Sequence, residues 1–564
     1  MCGICGIYGK RSPNKVKLMA DAIKHRGPDG ESFANFPWGS LGFRWLDIFG
    51  PETNPQPAVN NKKNISILFN GEIYNFNELV PLIQPKKIVD EANLILELYL
   101  IFGEKVFEKL KGMFAIAILS PEKLILARDS FGIKPLVYFQ KGSEIYFASE
   151  IKALLRVHEN AIEINKDSLA ETAVFGFIFN LGETMFKGIK QVLPGSYIVF
   201  EDGLSKTVKY NNNPNSFYNP NSVIDKKTIS HFSELMNSTA KLHLSHSKHD
   251  HALYLSGGLD SSLMAYYLQN NSSNNIHSYT LFDDLNNEDR LFANKVASEI
   301  GTIHTEIETG FDETLNLLKH YLYHYESLVT NGLYDVLGSV AFHILSAKIA
   351  KKHKVAYCGE GADELFGGYY WLHAHPLGVG DRLRAKSFKV NNGSTQIHDY
   401  IMQHFPDDDT KKLEMQKEIF DFLNGPGLTN CHLWSVDRSS SAFSFEARPF
   451  YLYNDIAEWA LTFSINNKVT ESKETKLIMK QYASSRLSPL FQDISKRKKI
   501  AMSAALNNSL RMLIEHSTRR FQSSNKKDLP HYDFSTYLNT DLDKFMFDNF
   551  YKMFVINRGD FSID

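Results

Sequence analysis

Two stretches of this 564-residue sequence gather residue types that do chemistry together: MCGICGIYG at the start and LYLSGGLDSS at Leu253–Ser262. A cysteine at position 2 has a particular use. Once Met1 is removed, the α-amino group of Cys2, with an ordinary pKa of about 7.7–8.0, can take the proton of its own thiol. Nucleophile and base then belong to one residue. The CGIC spacing also reads as a redox or metal pair. A zinc site, however, needs a second pair of ligands, and Cys358 and Cys431 are single and far apart. A redox pair usually opens a helix after a strand, unlike this one. The plainest alternative is a small buried side chain.

Three neighbouring fragments favour the nucleophile: HRGPDG at His25–Gly30, FNGEIYN at Phe69–Asn75 and ARDSFGIKPL at Ala127–Leu136. Acyl transfer from an amide passes through a tetrahedral oxyanion that needs fixed donors. The Asn70 side-chain NH2 and the Gly71 backbone N–H are suited to supply them. Glu72 and Asp29 are candidates for the polar groups of a substrate. Taken singly, each fragment is also ordinary turn chemistry.

The second stretch reads as strand, glycine-rich loop and helix, so backbone N–H groups and a helix N-terminus converge where an anion can sit. It lacks the lysine of a P-loop, and an ordinary tight turn would look much the same. Asp260 beside such a cradle can hold Mg2+ through oxygen.

These residues need elements to hold them. Up to about residue 205, β-type runs (ISILFNGEIYNF, KLILARDS, KPLVYFQ) alternate with turns, and EANLILELYLIFGEKVFEKL reads as one helix. The stretch KYNNNPNSFYNPNSVIDKK is connector-like. The expected division is 1–208, a linker at 209–228, a second unit at 229–510 and an unassigned tail at 511–564. In the second unit HALYLS, SSLMAYYLQ, IHSYTLF, NEDRLFANKVASEIG and IHTEI alternate strand with helix, which predicts a parallel α/β sheet. GSVAFHILSAKIAKKH then leads into KVAYC and the loop GEGADELFGGYY, at a strand's C-terminal end, where open α/β sheets bind ligands.

The totals narrow the ligands. Lys and Arg number 62 against 64 Asp and Glu, so no net field draws the chain to nucleic acid or a membrane surface. Four cysteines fit a reduced compartment, the cytoplasm, and no apolar run is long enough to span a bilayer.

On these motifs the first 200 or so residues resemble the glutaminase domain of class II glutamine amidotransferases. The resemblance implies an Ntn-type αββα sandwich, Cys2 as nucleophile, Asn70 and Gly71 as oxyanion donors, and Glu72 in the glutamine site, with Arg26 and the ARD segment as framework. The family's carboxylate-gripping arginine column is Trp45 in FRWLDI, with Arg44 one place earlier. Its amino-group acid falls on Glu91, with Asp90 adjacent.

SGGLDSS resembles the loop of ATP-pyrophosphatase synthetases, and the pair together resembles glutamine-hydrolysing asparagine synthetases over about residues 1–510. That likeness implies a parallel-sheet domain of the adenine nucleotide alpha hydrolase type. It implies ATP and Mg2+ at Leu255, Ser256, Gly257, Gly258, Asp260 and Ser261, with Asp363 completing the metal site. Tyr254, Leu281, Cys358 and Gly359 would border the nucleotide, Glu360 would serve the acyl-adenylate, and Lys476 would steady the leaving pyrophosphate. The implied substrates are glutamine, ATP and aspartate, with a passage for ammonia between the sites; a homodimer is one assembly it allows. Differences in ESLVTNGLYDVLGS, EARPFYLYN and YYWLHAHPLGVG keep a different carboxylic acid open as substrate. A relative with impaired glutaminase, ammonia-dependent or non-catalytic, is the third reading.

Overall fold

The computed structural model describes residues 1–48, 56–83, 90–211, 223–328, 336–373, 375–390, 395–470, 474–498, 502–523 and 530–560. Twelve strands build the first unit: β1 Gly3–Tyr8, β2 Gly30–Phe36, β3 Gly39–Trp45, β4 Ala58–Asn60, β5 Ile65–Ile73, β6 Gly112–Leu119, β7 Lys123–Arg128, β8 Val137–Lys141, β9 Glu144–Ala148, β10 Lys190–Gln191, β11 Ser196–Glu201 and β12 Leu204–Lys209. They form two antiparallel sheets, ordered β10-β8-β9-β1-β3-β2 and β12-β11-β7-β6-β5-β4. Ile4, Leu41 and Phe43 of the first sheet meet Leu68, Ala115 and Leu126 of the second in a shared core. Outside the second sheet packs the helix Glu91–Phe102. The helix Pro13–Ala22 buries Val16, Met19 and Ala20 outside the first. The result is the expected αββα sandwich.

The helix over 91–110 is shorter than its apolar pattern predicts. It starts at Glu91 because the Asp90 side chain accepts from Asn93 N at 2.9 Å, a cap worth about 1 kcal/mol. It ends at Phe102, where Gly103 turns left-handed with φ +57° and a 3-10 turn follows.

Five strands build the second unit's sheet: β13 His251–Tyr254, β14 His277–Phe282, β15 Ile303–Glu308, β16 Val355–Cys358 and β17 Glu446–Pro449. All are parallel, in the order β15-β14-β13-β16-β17. The chain leaves β13 toward one edge and returns on its other side, so β13 and β16 flank a switch point. The helices Asn507–Ser523 and Asp541–Tyr551 belong to this body, and the first runs through residue 510, where the sequence alone placed the end of the unit. Phe550 of the second helix packs on Phe186 of the sandwich, and beyond it Asp560 pairs with Arg156 at 2.6 Å.

A buried ion network joins the two units. Arg26, fully buried, pairs with Glu150 at 2.8 Å in its own unit and with Asp437 at 2.7 Å in the other. Arg438 reaches Glu150 at 3.2 Å and Glu326 at 3.0 Å. Glu326 in turn accepts from Ile151 N and Lys152 N, the first backbone donors of the helix Ile151–Leu155. Removing one member strands its partners without solvent, at a cost of about 3–5 kcal/mol. Arg26→Leu is therefore expected to lower the unfolding free energy by about that amount in urea titration.

Candidate functional site

Cys2 lines a cavity of about 70 Å3 together with Phe43, Trp45, Gln56, Gly71, Glu72, Asp90, Glu91 and Glu446 among others. Arg26 Nε donates to Cys2 O at 3.1 Å, which fixes the backbone of Cys2. Burial pushes the thiol pKa up and holds the Met1 amine down to about 5.

Strand β5 carries the expected oxyanion donors. Alternation puts Asn70 and Glu72 on the same face as Leu68, toward the first sheet. Asn70 is fully buried, and neither atom of its amide has a partner among the described residues. Such an orphaned group is costly unless a ligand completes it. Gly71, at φ +153°, lies where a Cβ would sit 1.9 Å from Met113 O, so no other residue fits.

The carboxylates of the cavity are unlike one another. Asp90 is taken up in capping its helix. Glu91 accepts from Ile73 N at 3.1 Å, yet burial raises its pKa to about 8. Burial also raises Glu72, which lies 3.0 Å from Arg448. Glu446 feels the same burial, but Lys134 at 3.3 Å and Arg448 at 2.8 Å hold it down to about 2. Glu446 and Arg448 come from β17 of the second unit, so the glutaminase-like cavity has a wall from the other unit. Sequence reasoning missed them as site residues, although opposite charges at i and i+2 of an apolar strand are a readable signal.

Two expectations are corrected. Arg44 does not face the cavity: period 2 along β3 sends Phe43 and Trp45 inward and Arg44 outward, where it binds Ala20 O at 3.0 Å and pairs with Asp21 and Glu31. Leu255 turns its side chain into the core on the other face, and its backbone N–H and C=O bond Tyr279 O and the Thr280 hydroxyl. Asp29 is held by Lys354 at 2.6 Å. The ARD segment is framework: Asp129 accepts from four backbone N–H groups, of Phe114, Phe131, Ile133 and Lys134.

At the switch point the loop after β13 meets the loop after β16. Ser256 Oγ and Ser261 Oγ are 3.0 Å apart, and Gly258 caps the helix Leu259–Asn271. Gly257, at φ +69°, packs so tightly on the backbone of the helix Glu288–Ile300 that a Cβ would lie 2.5 Å from Ala293 N. Tyr254, Leu281 and Cys358 share one apolar cluster beside it. A Cβ on Gly359 would approach Asp260 to 3.5 Å, which measures how closely the loops oppose.

Lys476 spans the gap: its ammonium pairs with Asp260 and, at 2.6 Å, with Asp363. Burial alone would depress that lysine, but the two aspartates raise it. The site thus brings together Ser256, Gly257, Gly258, Asp260, Ser261, Gly359, Asp363 and Lys476. Glu360, one residue on from Gly359, is partly exposed and contacts His432, which no sequence motif singled out. Gly368 also belongs here, since a Cβ on it would lie 1.7 Å from Asp363 Oδ1.

One further cluster needs a decision. Ligand atoms of His25, Glu150 and His324 lie within 4.8 Å of one another. Lys152, Arg26 and Arg438 already surround that glutamate, so an added cation would be repelled. All four cysteines are free thiols, and among the described residues no helix is long and apolar enough to cross a membrane.

Comparison with known proteins agrees with this layout. A family model described as glutamine amidotransferase domain matches residues 1–211, and one described as asparagine synthase matches residues 231–550. The glutamine-hydrolyzing asparagine synthetase 1 of Bacillus subtilis (strain 168) is 30% identical over 394 residues, 67% of this chain and 60% of that protein. Synthetase 3 of the same organism is 26% identical over 531 residues, 85% of this chain and 84% of that one. Asparagine synthetase B of Escherichia coli (strain K12) is 27% identical over 401 residues, 67% of this chain and 66% of that protein. The match thus spans less than two thirds of the first relative's length. With the asparagine synthase match covering more than half of its residues behind a glutamine amidotransferase domain, the chain belongs to the asparagine synthase family.

Proposed function

We propose that the protein makes an amide from a carboxylic acid, with glutamine as nitrogen donor and ATP as activator, and that the acid is aspartate. The observation that carries this reading is the pairing, across one buried interface, of the Cys2 cavity with the cleft of Asp260, Asp363 and Lys476. Each half supplies what the other lacks. A carboxylate is a poor acylating agent until it is adenylated, and free ammonia in water is mostly protonated.

In the first half, Met1 is removed and the amine of Cys2 takes the thiol proton. The thiolate attacks the glutamine amide, and Asn70 and Gly71 donate to the oxyanion. Glu91, with Asp90 beside it, faces the amino group of glutamine. In the second half the acid's carboxylate attacks the α-phosphorus of ATP, and the loop Ser256–Ser261 holds the pyrophosphate with Lys476. Mg2+ fits here as two carboxylates converging on one point, and Asp260 and Asp363 would hold it; bound, the ion neutralises phosphate charge. Ammonia then replaces AMP at the acyl carbon beside Glu360. A different acid is the second reading, favoured by EARPFYLYN and YYWLHAHPLGVG around the cleft; ESLVTNGLYDVLGS lies partly outside the described residues.

The deciding experiment incubates the protein with Mg-ATP, aspartate and amide-labelled glutamine and identifies the labelled product by mass. Labelled asparagine is expected. Cys2→Ala should fail with glutamine and still work with ammonium. Pyrophosphate release with another acid but not with aspartate selects the second reading. Release with no acid, under either nitrogen donor, overturns both.

Two variants probe the halves separately. Gly368→Ala forces Asp363 and Lys476 apart and is expected to lower pyrophosphate release at least about tenfold, equivalent to ~1.4 kcal/mol, with glutamine hydrolysis retained. Glu91 has a pKa raised to about 8, so below that pH it is protonated and cannot pair with an ammonium group. The KM for glutamine should therefore fall as pH rises toward 8, and Glu91→Gln should flatten that dependence.

A further inference from the structure

His432 stands between the two glutamates of the GEGADE loop. Its Nδ1 lies 3.2 Å from Glu360 Oε2, and its Nε2 lies 3.5 Å from Glu364 Oε1. The Tyr369 hydroxyl donates to Glu364 Oε1 at 2.6 Å and is 3.3 Å from His432 Nε2. The side chain of Glu360 is 26% exposed, that of His432 20% and that of Glu364 1%. A partly exposed carboxylate is thus backed by an imidazole, and the imidazole by a buried carboxylate locked in place by a phenol.

This is the order of a proton-handling group, its reservoir and an orienting anion. Glu364 and Tyr369 hold Nε2, which leaves Nδ1 aimed at Glu360. The titratable groups around the imidazole are Glu360 from the loop after β16, Glu364 from the helix Ala362–Phe366, Tyr369 beyond it and the Cys431 thiol on its own segment, with Asp363 acting on Glu364 from behind. An ordinary carboxylate, with a pKa of about 4.3, is almost never protonated at neutral pH, whereas an imidazole, near 6.5, both takes up and releases a proton there.

We infer that His432 is a positioning and proton-relay residue for amide formation, an inference that rests on the function proposed above. The ammonia lone pair forms the C–N bond to the acyl carbon, and the carbonyl pair moves onto oxygen. The attached nitrogen, now positive, gives one proton to Glu360, which passes it to Nδ1 of His432. The oxygen pair returns, the acyl C–O bond breaks, and AMP leaves with the electrons of that bond. Ammonia and acyl-adenylate give amide, AMP and one proton, which leaves from the partly exposed imidazole.

The test compares His432→Gln, which keeps a hydrogen-bonding side chain that cannot titrate, with His432→Leu, which keeps neither property. Pyrophosphate release in the absence of a nitrogen donor should stay within about threefold of the wild type in both, while kcat for ammonium-dependent amide formation falls about a hundredfold. The rise of that kcat through the imidazole range, about pH 6–7, should vanish in His432→Gln. Wild-type kcat and pH profile in His432→Gln overturn the relay, as does an equal loss in both half-reactions. Should the wild type release pyrophosphate with no acid, the amide-synthesis reading fails instead. The contact is then read by NMR of histidine-labelled protein, with the His432 ring signal assigned from His432→Gln. Glu360→Gln should move the titration of that signal, and an unmoved titration overturns the inference.

Discussion

Arg26 has no water around it, and the carboxylates that neutralise it come from two different folding units. Each buried ion costs several kcal/mol unless a partner of opposite charge meets it at close range. Glu150 cannot neutralise both Arg26 and Arg438, and Asp437 and Glu326 of the second unit complete the set. Parting the units would leave charges uncompensated on both faces, so their relative placement is set by electrostatics as well as by apolar contact. The nucleophile inherits that placement, because the same Arg26 holds the carbonyl of Cys2. Glu446 and Arg448, which close the Cys2 cavity, arrive through the same docking.

The two sites then work under opposite electrostatic rules. In the Cys2 cavity burial dominates: it raises Cys2, Glu72 and Glu91 and depresses the Met1 amine, while Glu446 stays charged beside Lys134 and Arg448. The cleft at the switch point is ionic, with Lys476 between two aspartates and a helix N-terminus facing the same space. One environment suits a neutral amide and a neutral product, the other a polyphosphate.

Much of this was legible because it is local. Asn70–Gly71, Ser256–Gly258 and Gly359–Asp363 each belong to one loop or one strand, where spacing and backbone demands leave a mark on residue type. The parallel sheet followed from alternating strand and helix, whereas the αββα sandwich came from the resemblance that the motifs carry. Arg44 was misplaced although the same period argues against it, since Phe43 and Trp45 cannot face the cavity together with it. Lys134 and His432 were missed for another reason. Their partners lie far away in sequence, as with Lys134 and Glu446, 312 residues apart, and no local pattern encodes such a meeting. The tail was unreadable as chemistry because its task is packing, with Phe550 and Phe554 against Phe186.

Lys476 carries a last consequence. Its ammonium already compensates Asp260 and Asp363, so a nucleotide does not enter an empty electrostatic field. On the proposed function, binding would be an exchange, in which the lysine trades carboxylates for phosphate oxygens and the carboxylates trade the lysine for a cation. A polyphosphate without a cation would leave two acids facing each other, and a cation without a polyphosphate would leave the lysine stranded. On the proposed function, the cleft would favour polyphosphate and cation together over either alone.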